Sequence, residues 1–338
     1  MSEDRTDPTR RLTIYDVARL ADTSASAVSS ILNGSWQKRR ISKRLADKVM
    51  RIAEREGYST NTQASMLRRA RSNIVGMIVP KYDNRYFGAM VEQFEAIARE
   101  RGLFPVVTCT QREPALEVEA AKELISFRAE CLIATGATDP DHLTSLCRAA
   151  GVRSINLDLP GSAAPSVISD NYAGARDLTN ILLDRCESDL GLKGPLHFVG
   201  GRLSDHNTSA RLRGFLDAHR ERGLVVPDSH RLAPGYSDDK VERKLESLQP
   251  SGAMGLFVNS TISLEGVVRW FQNSAKGRTL QLRYGCFDFD PFAALLPGNV
   301  GMVQQDTVTM LKRVFDLLDN GETPSDPILV PCILKITG

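Results

Sequence analysis

Apolar and polar positions follow two different patterns along this chain of 338 residues. Near the start, apolar side chains recur three and four positions apart, as in Ile14, Val17, Ala18 and Ala21, which predicts a short amphipathic helix. From Ser72 onward, short apolar runs alternate with longer helical patterns, which predicts parallel strands joined by crossover helices. The pattern therefore predicts a small helical head followed by an α/β body.

The head pattern predicts a helix-turn-helix. Asp22-Thr23-Ser24 can form a tight turn and an N-cap, and a second helix then runs to the stop signal Asn33-Gly34. The small residues of this helix are expected on its exposed face, where they would let the backbone enter the major groove of DNA. A third helix, starting at the cap Ser42 with Leu45, Val49 and Ile52 on its apolar face, would close a three-helix core.

The charge distribution supports a nucleic-acid partner for the head. Residues 1–72 hold 15 lysines and arginines against 8 acidic residues, a net charge of +7, whereas the remaining 266 residues hold 28 against 33. A basic face is often only a solvated surface. A basic head on a slightly acidic body, however, is the charge distribution expected when one end of a protein meets phosphates.

These segments resemble the lactose-repressor (LacI/GalR) family of bacterial transcription regulators. TIYDVARLADTSASAVSSILNG is similar to the N-terminal signature of that family, the spacing Tyr58, Asn61, Ala64, Leu67 is similar to its hinge, and the resemblance continues to about residue 335. NGSWQKRRIS and LFVNSTISLEGV resemble most the fructose-repressor branch.

The resemblance implies a DNA-contacting surface on the head and the hinge. In such repressors the segment matching residues 61–69 folds into a helix only on operator DNA, and the leucine matching Leu67 is pushed between base steps of the minor groove. The expected DNA-binding residues are Thr13, Tyr15, Ser24, Ala25, Ser26, Ser29, Ser30, Asn33, Tyr58, Asn61, Ala64, Leu67 and Arg68.

The body is expected to form two doubly wound parallel-sheet lobes with a cleft between them, as in periplasmic binding proteins. One set of strands and helices runs from Ser72, and a second set begins near Gly200. The predicted domains are a helix-turn-helix domain at 12–59, a hinge at 60–72 and a two-lobed effector-binding and dimerisation domain at 73–338.

Polar residues that follow the apolar runs are candidates for the ligand site, because ligands of such sheets bind at the carboxyl ends of the strands. The resemblance maps effector-binding positions onto Asp158, Arg211, Ser260 and Asp288, with Asn84 and Phe87 added. Each has a structural alternative: Asp288 suits a turn, and Arg211 in an amphipathic helix suits the surface. Paired carboxylates accept hydrogen bonds from vicinal hydroxyls, and an arginine can donate to a ring oxygen, a hydroxyl or a phosphate.

Other classes of protein lack support in the sequence. No run of about 18 apolar residues and no apolar signal core occurs, so a cytoplasmic location without a membrane span is expected. The six cysteines have no CxxC spacing and suit buried free thiols. Neither His197 nor His206 has the spacing of a metal site, and the GxSxG, Walker and HExxH motifs are absent. No enzyme, cofactor or metal is therefore predicted.

The sequence predicts a DNA-binding transcriptional repressor, a homodimer rather than a tetramer, whose operator affinity is controlled by a sugar or a sugar phosphate. The alternative is a cytoplasmic sugar-binding or sugar-modifying protein with an incidental basic head. A periplasmic sugar-binding protein would need a signal peptide, and a sugar kinase would need a glycine-rich phosphate loop, for which Gly200-Gly201 is a weak candidate.

Replacing Leu67 by alanine is expected to weaken specific operator binding much more than non-specific DNA binding, because a wedge acts only where the duplex bends around it. Gel shifts with operator and unrelated DNA at one salt concentration measure both affinities. Equal losses on the two DNAs would contradict the wedge.

Overall fold

The head consists of three helices, Ile14–Ala21 (α1), Ala25–Leu32 (α2) and Lys43–Arg55 (α3), in a computed structural model that describes residues 12–58, 72–248 and 252–337. Thr13, Ser24 and Ser42 cap the three helices with their side chains, as the sequence predicts for the last two. Asp22 takes a left-handed conformation, with φ of 56°, and this turns the chain from α1 into α2. Val17, Val28 and Val49 are fully buried in the small core between the helices.

The chain forms two compact units, Met1–Ser72 and Asn73–Gly338. All of the predicted hinge except Ser72 lies outside the described residues. The second unit holds two lobes, each built on a six-stranded sheet.

The first lobe contains the strands Ile74–Val79 (β1), Phe104–Cys109 (β2), Cys131–Thr135 (β3), Arg153–Leu157 (β4), Ser166–Ser169 (β5) and Ile328–Val330 (β11). Its helices are Arg85–Glu100 (α4), Pro114–Ser126 (α5), Pro140–Ala149 (α6) and Thr307–Asn320 (α12). The sheet order is β11-β5-β4-β3-β1-β2, and all neighbouring strands are parallel. The apolar run of β1 is buried at every position, as expected for a parallel strand covered on both faces.

The second lobe contains the strands His197–Val199 (β6), Arg231–Leu232 (β7), Ala253–Val258 (β8), Gln281–Phe287 (β9), Asn299–Gln304 (β10) and Ile333–Ile336 (β12). Its helices are Asn171–Leu190 (α7), His206–Glu221 (α8), Asp238–Glu246 (α9), Thr261–Asn273 (α10) and Ala275–Thr279 (α11). The sheet order is β12-β10-β9-β8-β6-β7. The edge strand β12 is antiparallel to β10, so this sheet is not purely parallel.

The sequence suggested that the first lobe ends and the second begins near Gly200. In the structure the two lobes are not consecutive segments of the chain. Helix α7 follows β5 but packs in the core of the second lobe, where Leu178 and Leu182 belong to one buried cluster with Phe198 and Phe257. Helix α12 returns to the first lobe, where Met310 belongs to the core with β1. The chain therefore crosses between the lobes after β5, after β10 and after β11.

The C-terminal run ILVPCILKITG contains a proline between two apolar stretches. In the structure it forms two strands, β11 in the first lobe and β12 in the second, separated by Pro331 and Cys332. A proline cannot donate to a sheet, so the interruption falls where the chain changes lobes.

The two lobes have a similar topology. Strands at the same position in the two sheet orders are followed by the same type of residue or by a helix of the same length. The third strand of each order, β4 or β9, is followed by an aspartate in the left-handed region: Asp158 with φ of 73° and Asp288 with φ of 72°. Helices α4 and α8 follow the fifth strand of each order, and each has 16 residues. The repeat places the two aspartates at equivalent positions in the lobes.

No helix of the described ranges is long and apolar enough to cross a membrane. All six cysteines are free thiols: Cys131, Cys147, Cys186 and Cys286 are buried, and Cys109 and Cys332 are partly buried.

Replacing Gly214 of α8 by alanine is expected to lower the stability of the body by about 1–3 kcal/mol, a typical cost of overpacking. A Cβ at this position would overlap the carbonyl oxygen of Tyr172 and lie 3.0 Å from the amide nitrogen of Arg176, because α7 and α8 pack closely there. Gly88 of α4 is the control, since the nearest atom to its Cβ would be 4.0 Å away. Thermal unfolding should place Gly88→Ala at or above the wild type. A stable Gly214→Ala would contradict the close packing.

Candidate functional site

The second helix of the head presents small polar side chains to solvent. Ser26 and Asn33 are exposed, and Ala25 and Ser29 are partly exposed. Ser24 caps the helix by accepting from the amide of Ala27. In α1, Tyr15 is 74% exposed, although large aromatic residues are usually buried. Thr13, which was expected to contact DNA, also forms a capping box with Asp16.

One of the expected DNA-binding residues lies elsewhere than predicted. Ser30 was expected on the exposed face of α2, but it is 3% exposed and its hydroxyl donates to the carbonyl of Ser26 at 2.8 Å. This local hydrogen bond satisfies the hydroxyl inside the core, so that expectation was wrong. Tyr58 is partly buried and packs against the core of the head. Asn61, Ala64, Leu67 and Arg68 lie outside the described residues.

The lobes of the body enclose a cavity of about 760 Å³. All six residues expected to bind an effector line it: Asn84, Phe87, Asp158, Arg211, Ser260 and Asp288. Its size is within the range usual for small-molecule sites. Asn84 and Ser260 also cap the helices α4 and α10, which begin at the cavity wall.

Asp158 is held by both lobes. Its Oδ1 accepts hydrogen bonds from the hydroxyl of Tyr86 at 2.9 Å and from the side-chain amide of Asn207, in the second lobe, at 3.1 Å. The residue is 3% exposed. Burial raises the pKa of Asp158 to about 6, although Arg112 and the hydrogen bond from Tyr86 act in the opposite direction.

Asp288 is the equivalent carboxylate of the second lobe. Its Oδ1 accepts from the side-chain amide of Gln305 at 2.6 Å. Burial raises the pKa of Asp288, and Arg211 opposes that shift. The suggestion that Asp288 is a turn former is compatible with this role, because its left-handed backbone ends β9 and points the carboxyl into the cavity wall.

Arg211 is 3% exposed, so it is not the surface charge that its amphipathic helix also allowed. Its Nε donates to Asn171 Oδ1 at 2.8 Å, and its Nη1 donates to the carbonyl of Asn259 at 2.6 Å. The guanidinium carbon lies 3.7 Å from the ring centre of Phe287. These contacts fix the guanidinium at the cavity wall.

Three acceptor oxygens of the cavity wall have no protein donor within the described ranges. Each carboxylate uses its Oδ1, and within the described ranges no partner occupies Asp158 Oδ2 or Asp288 Oδ2. Gln305 is 5% exposed, and its Oε1 has no hydrogen-bond partner. Such oxygens are complementary to a ligand rich in hydroxyl donors.

Tyr86, Asn207, Gln305 and Asn171 are the network residues that the sequence-based choice omitted. Asn171 and Gln305 stand within two residues of a strand end, and Asn207 follows β6 as the second residue of α8, so all three are among the polar positions after apolar runs that the sequence offers. Tyr86 lies within α4, and only the tertiary structure shows that its hydroxyl reaches Asp158.

No group of three histidine, cysteine or acidic side chains is placed to hold a metal ion in the part of the chain that the structure describes. His197 stacks on His230 with ring centres 3.7 Å apart. His206 is the first residue of α8.

Two family models match this chain. Residues 13–61 match bacterial regulatory proteins of the lacI family, and residues 75–311 match a periplasmic binding protein domain. The ribitol operon repressor of Klebsiella aerogenes is 58% identical over 193 residues, which are 57% of this chain and 72% of that protein. The fructose operon regulatory protein of Vibrio cholerae is 30% identical over 217 residues, which are 63% of this chain and 64% of that protein. Identity is thus greater to the ribitol repressor than to the fructose regulator.

A solved structure of the lac repressor dimer bound to operator and an anti-inducer has the same fold, with a TM-score of 0.77 and 20% identity over 96% of this chain and 98% of that one. A helix-turn-helix unit carried on a two-lobed ligand-binding body defines a class of ligand-responsive transcription regulators. This chain belongs to the lacI family of bacterial regulatory proteins, and it is a DNA-binding regulator.

Asp158→Asn is expected to change how stability depends on pH. The free energy of unfolding of the variant, relative to that of the wild type, should increase as pH rises. The folded state keeps the proton of Asp158 up to about pH 6, whereas the unfolded chain releases it near the ordinary aspartate pKa of 3.8. The contribution of Asp158 to stability is therefore complete below this window and declines as pH rises through it. The asparagine does not titrate, so the variant should gain about 1–3 kcal/mol on the wild type between pH 4 and pH 7.

Thermal unfolding of both proteins across this range measures the difference. Asp141→Asn is the control of opposite sign, because hydrogen bonds from Ser162 and Ala163 lower the pKa of Asp141. A constant difference between Asp158→Asn and the wild type at all pH values would contradict the raised pKa.

Proposed function

We propose that this protein is a repressor that binds a near-palindromic operator as a homodimer in the cytoplasm, and that a small hydroxyl-rich effector between the lobes controls its operator affinity. The effector class is a sugar, a sugar alcohol or one of their phosphates. The proposal assigns no catalytic step to the chain.

The observation that carries the effector class is the group of three acceptor oxygens in the cavity wall that no protein donor reaches. Asp158 Oδ2, Asp288 Oδ2 and Gln305 Oε1 have no donor in the described protein, while Asp158 Oδ1 and Asp288 Oδ1 are already occupied. Gln305 Oε1 is buried without a donor and carries a desolvation cost that a ligand hydroxyl would relieve, and both carboxylate oxygens can accept from further hydroxyls. The name of the ribitol operon repressor, 58% identical, supports a polyol or a related sugar.

The DNA role is supported by the exposed small face of α2 and by exposed basic residues around it. Lys38, Arg39 and Arg40 follow α2 in an exposed loop, and Lys43 and Arg44 begin α3 with exposed side chains. Basic side chains next to a recognition helix can hold phosphates while the helix meets base edges.

Control by the effector follows from linkage. Asn207 of the second lobe hydrogen-bonds Asp158 of the first, so a ligand that contacts both carboxylates binds one relative position of the lobes better than another. A ligand can change operator affinity only through such differential affinity.

The experiment that tests this proposal is a gel shift with DNA from upstream of the chain's own gene, with and without sugars and polyols. A sequence preference at physiological salt, changed by at least one of these compounds, is expected. Binding without any preference over unrelated DNA would refute the repressor role.

Replacing Arg211 by glutamine is expected to reduce the effector response at least about tenfold, because a buried charge-assisted donor is lost, while operator binding persists. Arg213→Gln is the matched control, since Arg213 lies on the same helix with an exposed side chain. Calorimetry with the responding compound measures affinity, and thermal unfolding checks that both variants fold. An unchanged response in a folded Arg211→Gln would remove Arg211 from the site.

A further inference from the structure

Two arginines at the mouth of the cavity have no acidic partner. Arg112 follows β2 in the first lobe, Arg202 follows β6 in the second, and both line the cavity. Their guanidinium carbons lie 5.5 Å and 5.9 Å from the centre of one ring, that of Tyr236. Within the described ranges, neither guanidinium forms an ion pair or donates a hydrogen bond. Two cations from opposite lobes therefore converge on one aromatic ring with their donors unused.

The other cations of the cavity wall are occupied. Arg85 forms an ion pair with Asp290 at 2.6 Å, and Lys81 lies 3.9 Å from Asp83. Arg211 donates to two protein acceptors, as described above. Arg112 and Arg202 are thus the cations of the cavity wall whose guanidinium donors have no protein acceptor within the described ranges.

The backbone directs Arg112 to this place at a conformational cost. Gln111 and Arg112 are consecutive residues with φ of 54° and 59°, although neither is glycine. Left-handed conformations of such residues are unfavourable and concentrate at ligand-binding and switch segments. Arg112 is partly exposed, and its charge acts on the buried Asp158.

Tyr236 is itself fixed, so it can hold both guanidiniums at one position. Its hydroxyl donates to Asp205 Oδ2 at 2.7 Å and lies 3.0 Å from the hydroxyl of Thr208. The ring face attracts cations without using their N–H groups. Guanidinium donors left free in this way match the oxygens of a phosphate or a carboxylate.

The cavity consequently has two chemically different ends. Asp158 and Asp288, 3% and 9% exposed, form the deep end with acceptors to spare. Arg112 and Arg202, partly exposed and exposed, form the outer end with donors to spare. We propose that the effector carries an anionic group bound between Arg112 and Arg202, with its hydroxylated part directed toward Asp158 and Asp288. This proposal rests on the cavity being the effector site, and it narrows the effector to phosphorylated or acidic sugars and polyols.

The test is calorimetry on the full-length protein with compounds that differ only in the anionic group. Ribitol is compared with ribitol 5-phosphate, and D-fructose with D-fructose 1-phosphate, to test phosphate. D-ribonate against ribitol tests carboxylate. At least one anionic compound is expected to bind about tenfold or more tightly than its neutral counterpart, and inorganic phosphate should compete with it.

Arg112→Gln and Arg202→Gln should each weaken binding of the anionic compound about tenfold more than binding of its neutral counterpart. Arg85→Gln is the matched control, because Arg85 lines the same cavity but is paired with Asp290, and it should keep the preference. The proposal is refuted if no anionic compound binds more tightly than its counterpart. It is also refuted if the Arg112 and Arg202 variants weaken neutral and anionic compounds equally, since the arginines would then only clamp Tyr236.

A parallel gel shift separates this proposal from the proposed function. If neutral polyols change operator binding and their anionic forms act no better, the anion site is refuted and the effector role of the cavity stands. If no compound of any pair changes operator binding, both proposals are refuted.

Discussion

The hydrogen bond between Asp158 and Asn207 is the interaction on which the arrangement of the body depends. It joins the lobes at the centre of the cavity, and Tyr86 donates to the same carboxylate oxygen from the first lobe. Asn207 also accepts from Asn171, which in turn accepts from Arg211, so the contact continues into a buried network. A buried carboxylate is stable only with such partners. Because the partners occupy Oδ1, Oδ2 stays available for a ligand.

The three crossings of the chain make this contact a suitable point of control. Each lobe contains segments from both halves of the body, since α7 packs in the second lobe and α12 returns to the first. The lobes are therefore tied together at one side, and contacts across the cavity, such as Arg85 with Asp290, can form or break as they move. A ligand that replaces or extends these contacts stabilises one relative arrangement of the lobes over another. Regulation of DNA affinity requires such a shift in the equilibrium between arrangements.

Much of the architecture could be predicted from the sequence, and the exceptions have physical causes. The caps Ser24 and Ser42 and the stop at Asn33-Gly34 act over a few residues, so their bounds were predictable. Ser30 was misplaced because a hydroxyl can satisfy itself on the carbonyl four residues earlier and then tolerate burial. The division of the C-terminal run between two sheets was not predictable, because a hydrophobic pattern does not reveal which sheet a strand joins. The six expected effector residues all line one cavity, because the carboxyl ends of parallel strands collect at one edge of each sheet.

The sequence by itself determined the helical head, the alternating body, the division of charge between them and the family, since each depends on local periodicity, composition or contiguous motifs. Only the tertiary structure decided that α7 and α12 exchange lobes, that Tyr86 and Asn207 share one oxygen of Asp158, and that Arg112 and Arg202 converge on Tyr236. These facts join residues far apart in the chain. Their geometry depends on how the two sheets pack and where the chain crosses between them, and no local pattern encodes that placement.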